Sequence, residues 1–181
     1  MSRSVVSSRP VYTQRYVWPE VQLNIWTIIV LVAGCTVLGV FASFVNDQQR
    51  LRLGIPWLFP YAITVGSLVV IFVIIQLILV SQRRLLPAFM MLFSFIFLVL
   101  FLAGTIETAI QLFGEGNVSS NCQTYVNNNP VSGQNVQTLA WLEQDSICSS
   151  WYAAFSFWII GCIFFVWMIV MGSQVARGEY T

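Results

Sequence analysis

The sequence predicts an all-α integral membrane protein: a four-transmembrane-helix bundle with one disulfide-stapled extracytoplasmic loop. Three observations carry that reading. Only 8% of the 181 residues are charged and 57% are hydrophobic, against roughly 25% charged in ordinary soluble domains. Eight basic and seven acidic side chains cannot cover the surface of a soluble globule of this size. Four uncharged stretches each exceed the ~20 residues that a bilayer crossing needs, and the one long hydrophilic stretch holds two of the four cysteines.

The elements follow in order. Residues 1–20 read as a flexible cytoplasmic N-terminus. Arg3, Arg9 and Arg15 stand there beside Ser2, Ser4, Ser7 and Ser8. Each Arg near anionic lipid contributes about 1 kcal/mol, an attraction that serine phosphorylation weakens. The transmembrane domain covers 21–173, with helices expected at 21–45, 56–81, 86–110 and 150–173. The first apolar run is longer than the 7–15 residues of a signal peptide, so it reads as an uncleaved anchor. Pro19, Pro56, Pro60 and Pro87 stand just before or within first helical turns, where a missing N–H costs little. No proline falls at a helix centre, which weighs against a transporter built on broken helices.

The outer loop spans 111–149, and residues 174–181 form a cytoplasmic tail. Gly114, Gly116, Asn127-Asn128-Asn129-Pro130 and Ser132-Gly133 are turn signals. A short separate helix is expected near 136–145. It would pack down through Val136, Leu139 and Leu142.

Arginine placement sets the orientation. Arg3, Arg9, Arg15, Arg83, Arg84 and Arg177 share one side of a four-crossing chain, and Arg50 and Arg52 fall on the other. Both termini and the short 82–85 turn are therefore expected in the cytoplasm. Tyr12, Tyr16, Trp18, Trp57, Tyr61, Trp151 and Tyr152 flank the spans and read as headgroup-level anchors.

Composition also excludes chemistry. A net charge of +1 offers no basic stripe for nucleic acid. The chain has no His and no Lys. It therefore carries no Ser-His-Asp triad, no His-ligated zinc or haem, no Schiff-base lysine and no phosphate-binding loop lysine. No catalytic residue, metal site or cofactor is expected, and the protein is read as no enzyme.

The remaining candidates are structural or modification sites. Cys122 and Cys148 face an oxidising compartment and are expected to pair. Their bond would close a loop of about 27 residues, worth roughly 3.5 kcal/mol. Asn117-Val118-Ser119 is a glycosylation sequon on the same side, close to the membrane, for a eukaryotic source. Cys35, Gly39 and Ser43 share one face of the first helix, Ala62 and Gly66 one of the second, and Ala154 and Cys162 one of the fourth, with Gly161 beside them. Such stripes let helix backbones approach and are expected to hold the four helices together, with self-association as the alternative. Gln76 is expected to make one interhelical hydrogen bond. Glu107 is expected at the outer interface, in contact with water, rather than as an intramembrane proton or cation site.

Four helices, cytoplasmic termini, a minimal inner turn and a stapled outer loop together resemble the MARVEL-type tetraspan membrane proteins, small fungal members above all. The local likeness is strongest in Cys148-Ser-Ser-Trp-Tyr-Ala-Ala-Phe-Ser-Phe-Trp158, and in Gln22 and Asn24 leading into a Gly-containing apolar run. It covers roughly residues 18–175. Tetraspanins proper carry a Cys-Cys-Gly loop signature that is absent here, and claudin-like proteins place the large loop between the first two helices. The resemblance implies a non-enzymatic role in plasma-membrane organisation or vesicle trafficking, through lateral association with itself or with other integral membrane proteins. The competing readings are an accessory subunit of a larger complex, such as a cell-wall polysaccharide synthase or ion pump, and a small channel or transporter.

Overall fold

A computed structural model of the chain describes residues 18–50, 52, 54–82, 85–114, 118–128 and 136–178; for Glu20, Tyr125, Asn127 and 136–141 it describes the backbone alone. The basic tail at 1–17, the Arg83-Arg84 pair, the sequon residue Asn117 and the chain end at 179–181 lie outside the described residues. The elements are α1 (Glu20–Arg50), α2 (Leu58–Ser81), α3 (Pro87–Phe113), α4 (Val118–Cys122), a π-helical turn (Gln123–Asn127) and α5 (Val136–Arg177). No strand occurs among the described residues. Four of the helices are long and apolar enough to cross a membrane.

Sequence and structure agree best on α2 and α3, where prolines and charges bracket the spans. Pro60 lies in the first turn of α2, and Pro87 is the first residue of α3. Two helices run further than expected. The first continues past Val45 through Asn46-Asp47-Gln48-Gln49 to Arg50, a cation that suits the negative end of the helix dipole. The last is one unbroken helix of 42 residues. It absorbs the segment expected to form a separate helix near 136–145, and it ends only where Gly178 turns into the left-handed region at φ 76°. Inside the outer loop, α4 and the π-helical turn replace what reads in sequence as irregular chain.

The four long helices alternate in direction. Around the ring, α1 lies between α2 and α5, and α3 lies against α5. The fourth side, between α2 and α3, is the loosest, because aromatic rings hold the two backbones apart. Phe72 of α2 lies 5.1 Å from Phe97 and 5.8 Å from Phe93 of α3. One polar bond crosses this side: the Tyr61 hydroxyl donates to the Leu100 carbonyl at 2.9 Å. Tyr61 thus serves as an interhelical tie where sequence suggests a headgroup anchor. Tyr61→Phe should lower stability by about 1 kcal/mol or less, read as a small drop in the melting temperature of the detergent-solubilised protein. An unchanged melt would assign α2–α3 cohesion to the rings alone.

Two of the other sides close through small residues. On α1 and α2, Gly34 and Gly66 meet: a Cβ on Gly66 would lie 3.0 Å from the Gly34 carbonyl oxygen and 2.9 Å from the Leu38 Cβ. On α3 and α5 the closure is reciprocal. The Trp158 ring of α5 lies on Gly104, where an added Cβ would sit 2.7 Å away, and the Phe101 ring of α3 lies directly on Gly161. The two rings meet edge to face at 4.7 Å. Gly66 and Gly161 therefore occupy close-approach positions, and Ala62 and Ala154 are buried on the same helices.

Two further expectations need correction. Cys35, Gly39 and Ser43 do not join the helices of one bundle. All three point outward, and a Cβ on Gly39 would meet nothing within 4 Å. Spacing shows that residues share a face but not which way that face points. Trp151 is likewise no surface anchor. It is 9% exposed and stacks on Phe44 at 5.2 Å, with Phe41 and Phe59 around it. Because α5 begins well before residue 150, Trp151 is an interior helical position in line with Ala154 and Trp158.

For orientation, the end where α1 begins and α5 finishes is called the tail end, and the end with α4 the loop end. At the tail end, Trp18 donates its indole N–H to the Leu85 carbonyl at 3.2 Å, tying the entry of α1 to the α2–α3 turn. At the loop end, Cys122 and Cys148 form a disulfide with Cα atoms 5.9 Å apart. The Ser119 and Tyr152 hydroxyls, 2.8 Å apart, make a second link between α4 and α5.

Candidate lateral interface

The outward faces of the long helices differ in what they present. On α2 the face is bulky, with Leu68, Ile71, Ile75 and Ile78 exposed. On α3 it carries Leu92, Phe95, Val99, Leu102 and Ile106, and on α5 Ile159, Ile163, Val166 and Val170. The first half of α1 matches this with Val21, Ile25, Ile28 and Val32. Beyond Val32 the same line of α1 changes to Cys35, Gly39, Ala42 and Ser43, all exposed, then to Asn46 and Arg50. The result is a shallow notch of small side chains about two turns long, next to a polar end.

The hydroxyls around this notch are already satisfied within the helix. Ser43 donates to the Gly39 carbonyl at 3.1 Å and Thr36 to the Val32 carbonyl at 2.9 Å. Thr64, Ser67, Thr105 and Ser156 do the same on the other helices. Each such bond leaves the helix surface without a bare donor, the condition a hydrocarbon surround imposes on polar groups. The notch thus offers close backbone approach with no polar group to desolvate.

The polar residues singled out within the spans sit elsewhere. Gln76 is fully buried and donates from Nε2 to the Thr27 Oγ1 of α1 at 2.7 Å, the single interhelical bond its position suggests. Glu107 stands half-exposed near the loop end of α3 and accepts from the Gln111 Nε2 at 3.2 Å. The structure joins it to a neighbour one turn on, not to Arg50 or Arg52, and does not bring it together with Gln76. Cys162 lies half-buried, its sulfur 3.7 Å from the Thr105 hydroxyl. Between the levels of Gln76 and Glu107 the interior is filled by Phe97, Phe101, Phe165 and Trp158, with ring centroids 4.7–5.6 Å apart from one to the next.

No metal-holding group of three or more His, Cys, Asp or Glu occurs among the described residues. Comparison with family models, with curated proteins and with solved structures finds no match.

Proposed function

We propose that this chain is a non-enzymatic integral membrane protein that organises membrane components by lateral helix packing, in the manner of the MARVEL-type proteins it resembles. The observation that carries the reading is the outward notch Cys35-Gly39-Ala42-Ser43 on α1. Lipid tails are as apolar as leucine, so helices associate in a bilayer through close van der Waals fit, and small residues provide it. A lipid-facing surface alone calls for no such notch, and the outward faces of the other three spans are mostly bulky, with Thr64, Ala103 and Ser156 as scattered small residues. The ring-filled interior between Gln76 and Glu107 weighs against a channel.

The test uses a cysteine already in the notch. With Cys122 and Cys148 bonded and Cys162 half-buried, Cys35 is the exposed free thiol among the described residues. Oxidative crosslinking in native membranes, with separation on non-reducing gels, should give a dimer that Cys35→Ser removes. Gly39→Ile, which fills open space on the bundle's own surface, should abolish the dimer without changing the melt. A crosslink instead to a single larger protein in fixed proportion would support the accessory-subunit reading. If neither product forms, lateral association through α1 is wrong.

A further inference from the structure

One level of the bundle interior is polar, and each long helix supplies one member of it. Thr27 of α1, Gln76 of α2, Ser94 of α3 and Met168 of α5 are all buried, none more than 3% exposed. Their contacts join them two by two. Gln76 is bonded to Thr27, and the Ser94 hydroxyl is directed at the Met168 sulfur at 3.9 Å. Neighbouring residues set the same register: Trp26 meets Trp167 across α1 and α5, and Phe72 meets Phe93 and Phe97 across α2 and α3.

The layer falls into two half-networks, each left with an unused or poorly used group. Thr27 spends its proton on the Leu23 carbonyl at 2.7 Å and accepts from the Gln76 Nε2. It therefore has nothing to donate to the other half of that carboxamide. The Gln76 Oε1 is buried and has no hydrogen-bond partner. In the other half-network, Ser94 directs its proton at a thioether, a weak acceptor. A buried carbonyl without a donor is costly, more so in an apolar surround.

We propose that this layer is an internal water site. One water donates to the Gln76 Oε1 and to the Met168 sulfur and accepts from the Ser94 hydroxyl, the three bonds that a buried water usually makes. The four lining groups are neutral, which matches a neutral ligand rather than a metal ion. Glu107 lies 13 residues along α3 from Ser94, about 20 Å at helical rise. The enclosure of all four side chains rules out a lipid or sterol headgroup reaching in from the side. The water joins the α1–α2 pair to the α3–α5 pair across the centre of the bundle and fixes their relative register, as a single buried polar residue does in coiled coils.

The test is water-edited solid-state NMR on the full chain in bilayers. The Gln76 side-chain amide is identified through its Thr27 neighbour. Polarisation should pass from water to this buried amide in the wild-type protein, and Ser94→Ala, which removes one of the water's partners, should slow the transfer at least twofold. Thr105→Val, on a hydroxyl outside the layer, should leave it unchanged. Absence of transfer in the wild type would overturn the site. Transfer that Ser94→Ala leaves untouched would put the water outside the layer and overturn the bridge. In a thermal-melt cycle, Gln76→Met and Ser94→Ala should be non-additive, the double variant melting close to the worse single one. Additive losses would deny any shared ligand.

Discussion

Replacing Gly161 by alanine should destabilise the bundle by about 3 kcal/mol, the upper part of the range for overpacking a filled core. The added Cβ would overlap the Phe101 ring, so the ring must move. It has nowhere to go: Phe101 is fully buried, with Trp158 at 4.7 Å on one side and Phe165 at 5.1 Å on the other. Trp158 is itself held on Gly104, so the disturbance passes to the second ring–glycine contact. The melting temperature in detergent gives the loss directly. Shortening the ring in the double variant Gly161→Ala with Phe101→Leu should recover part of it, because the two positions share one contact. A G161A protein that melts like the wild type would mean that α3 and α5 slide apart at little cost.

The second large effect concerns the loop end. Cys148→Ser should cost about 3.5 kcal/mol on the loop-entropy account, since the bond closes a sequence separation of 26 residues. The loss should be local in form. With the bond gone, α4 is a helix of five residues, too short to persist by its own hydrogen bonds, and its covalent tie to α5 is lost, leaving non-covalent links such as Ser119–Tyr152. Limited proteolysis should therefore cut between α4 and α5 in the variant or under reducing agent, while the spanning helices stay protected. If reduction changes neither the cleavage pattern nor the melt, the clamp is dispensable.

Legibility in the sequence followed the physics of each signal. Long uncharged runs and flanking prolines mark a spanning helix unmistakably, so the four spans, the interior placement of Ala62, Gly66, Ala154 and Gly161, and the pairing of Cys122 with Cys148 were all readable. Direction was not. Cys35 and Gly34 are adjacent, and only the three-dimensional register tells that Gly34 meets α2 while Cys35 looks outward. The continuity of α5 was hidden for another reason: Val136, Leu139 and Leu142 mark a helix near 136–145, but Glu143, Gln144 and Asp145 are polar and residues 142–147 are exposed, so no apolar period joins it to the span. That missed join also made Trp151 read as a surface residue. Of the polar layer only Gln76 was legible in the sequence, because Thr27 and Ser94 are lone hydroxyls that no pattern distinguishes.

The length of α5 has a mechanical consequence. At helical rise its 42 residues measure about 63 Å, roughly twice the hydrocarbon thickness of a bilayer. An unbroken α-helix resists bending and twisting along its whole length. Force applied to the part beyond Cys148 is therefore delivered as torque at Trp158 and Met168, deep among the other three helices. The disulfide at Cys148 sits between the two arms as a fulcrum. A load on the outer arm would therefore pull on the same rigid rod whose other arm carries the interior glycine and ring contacts.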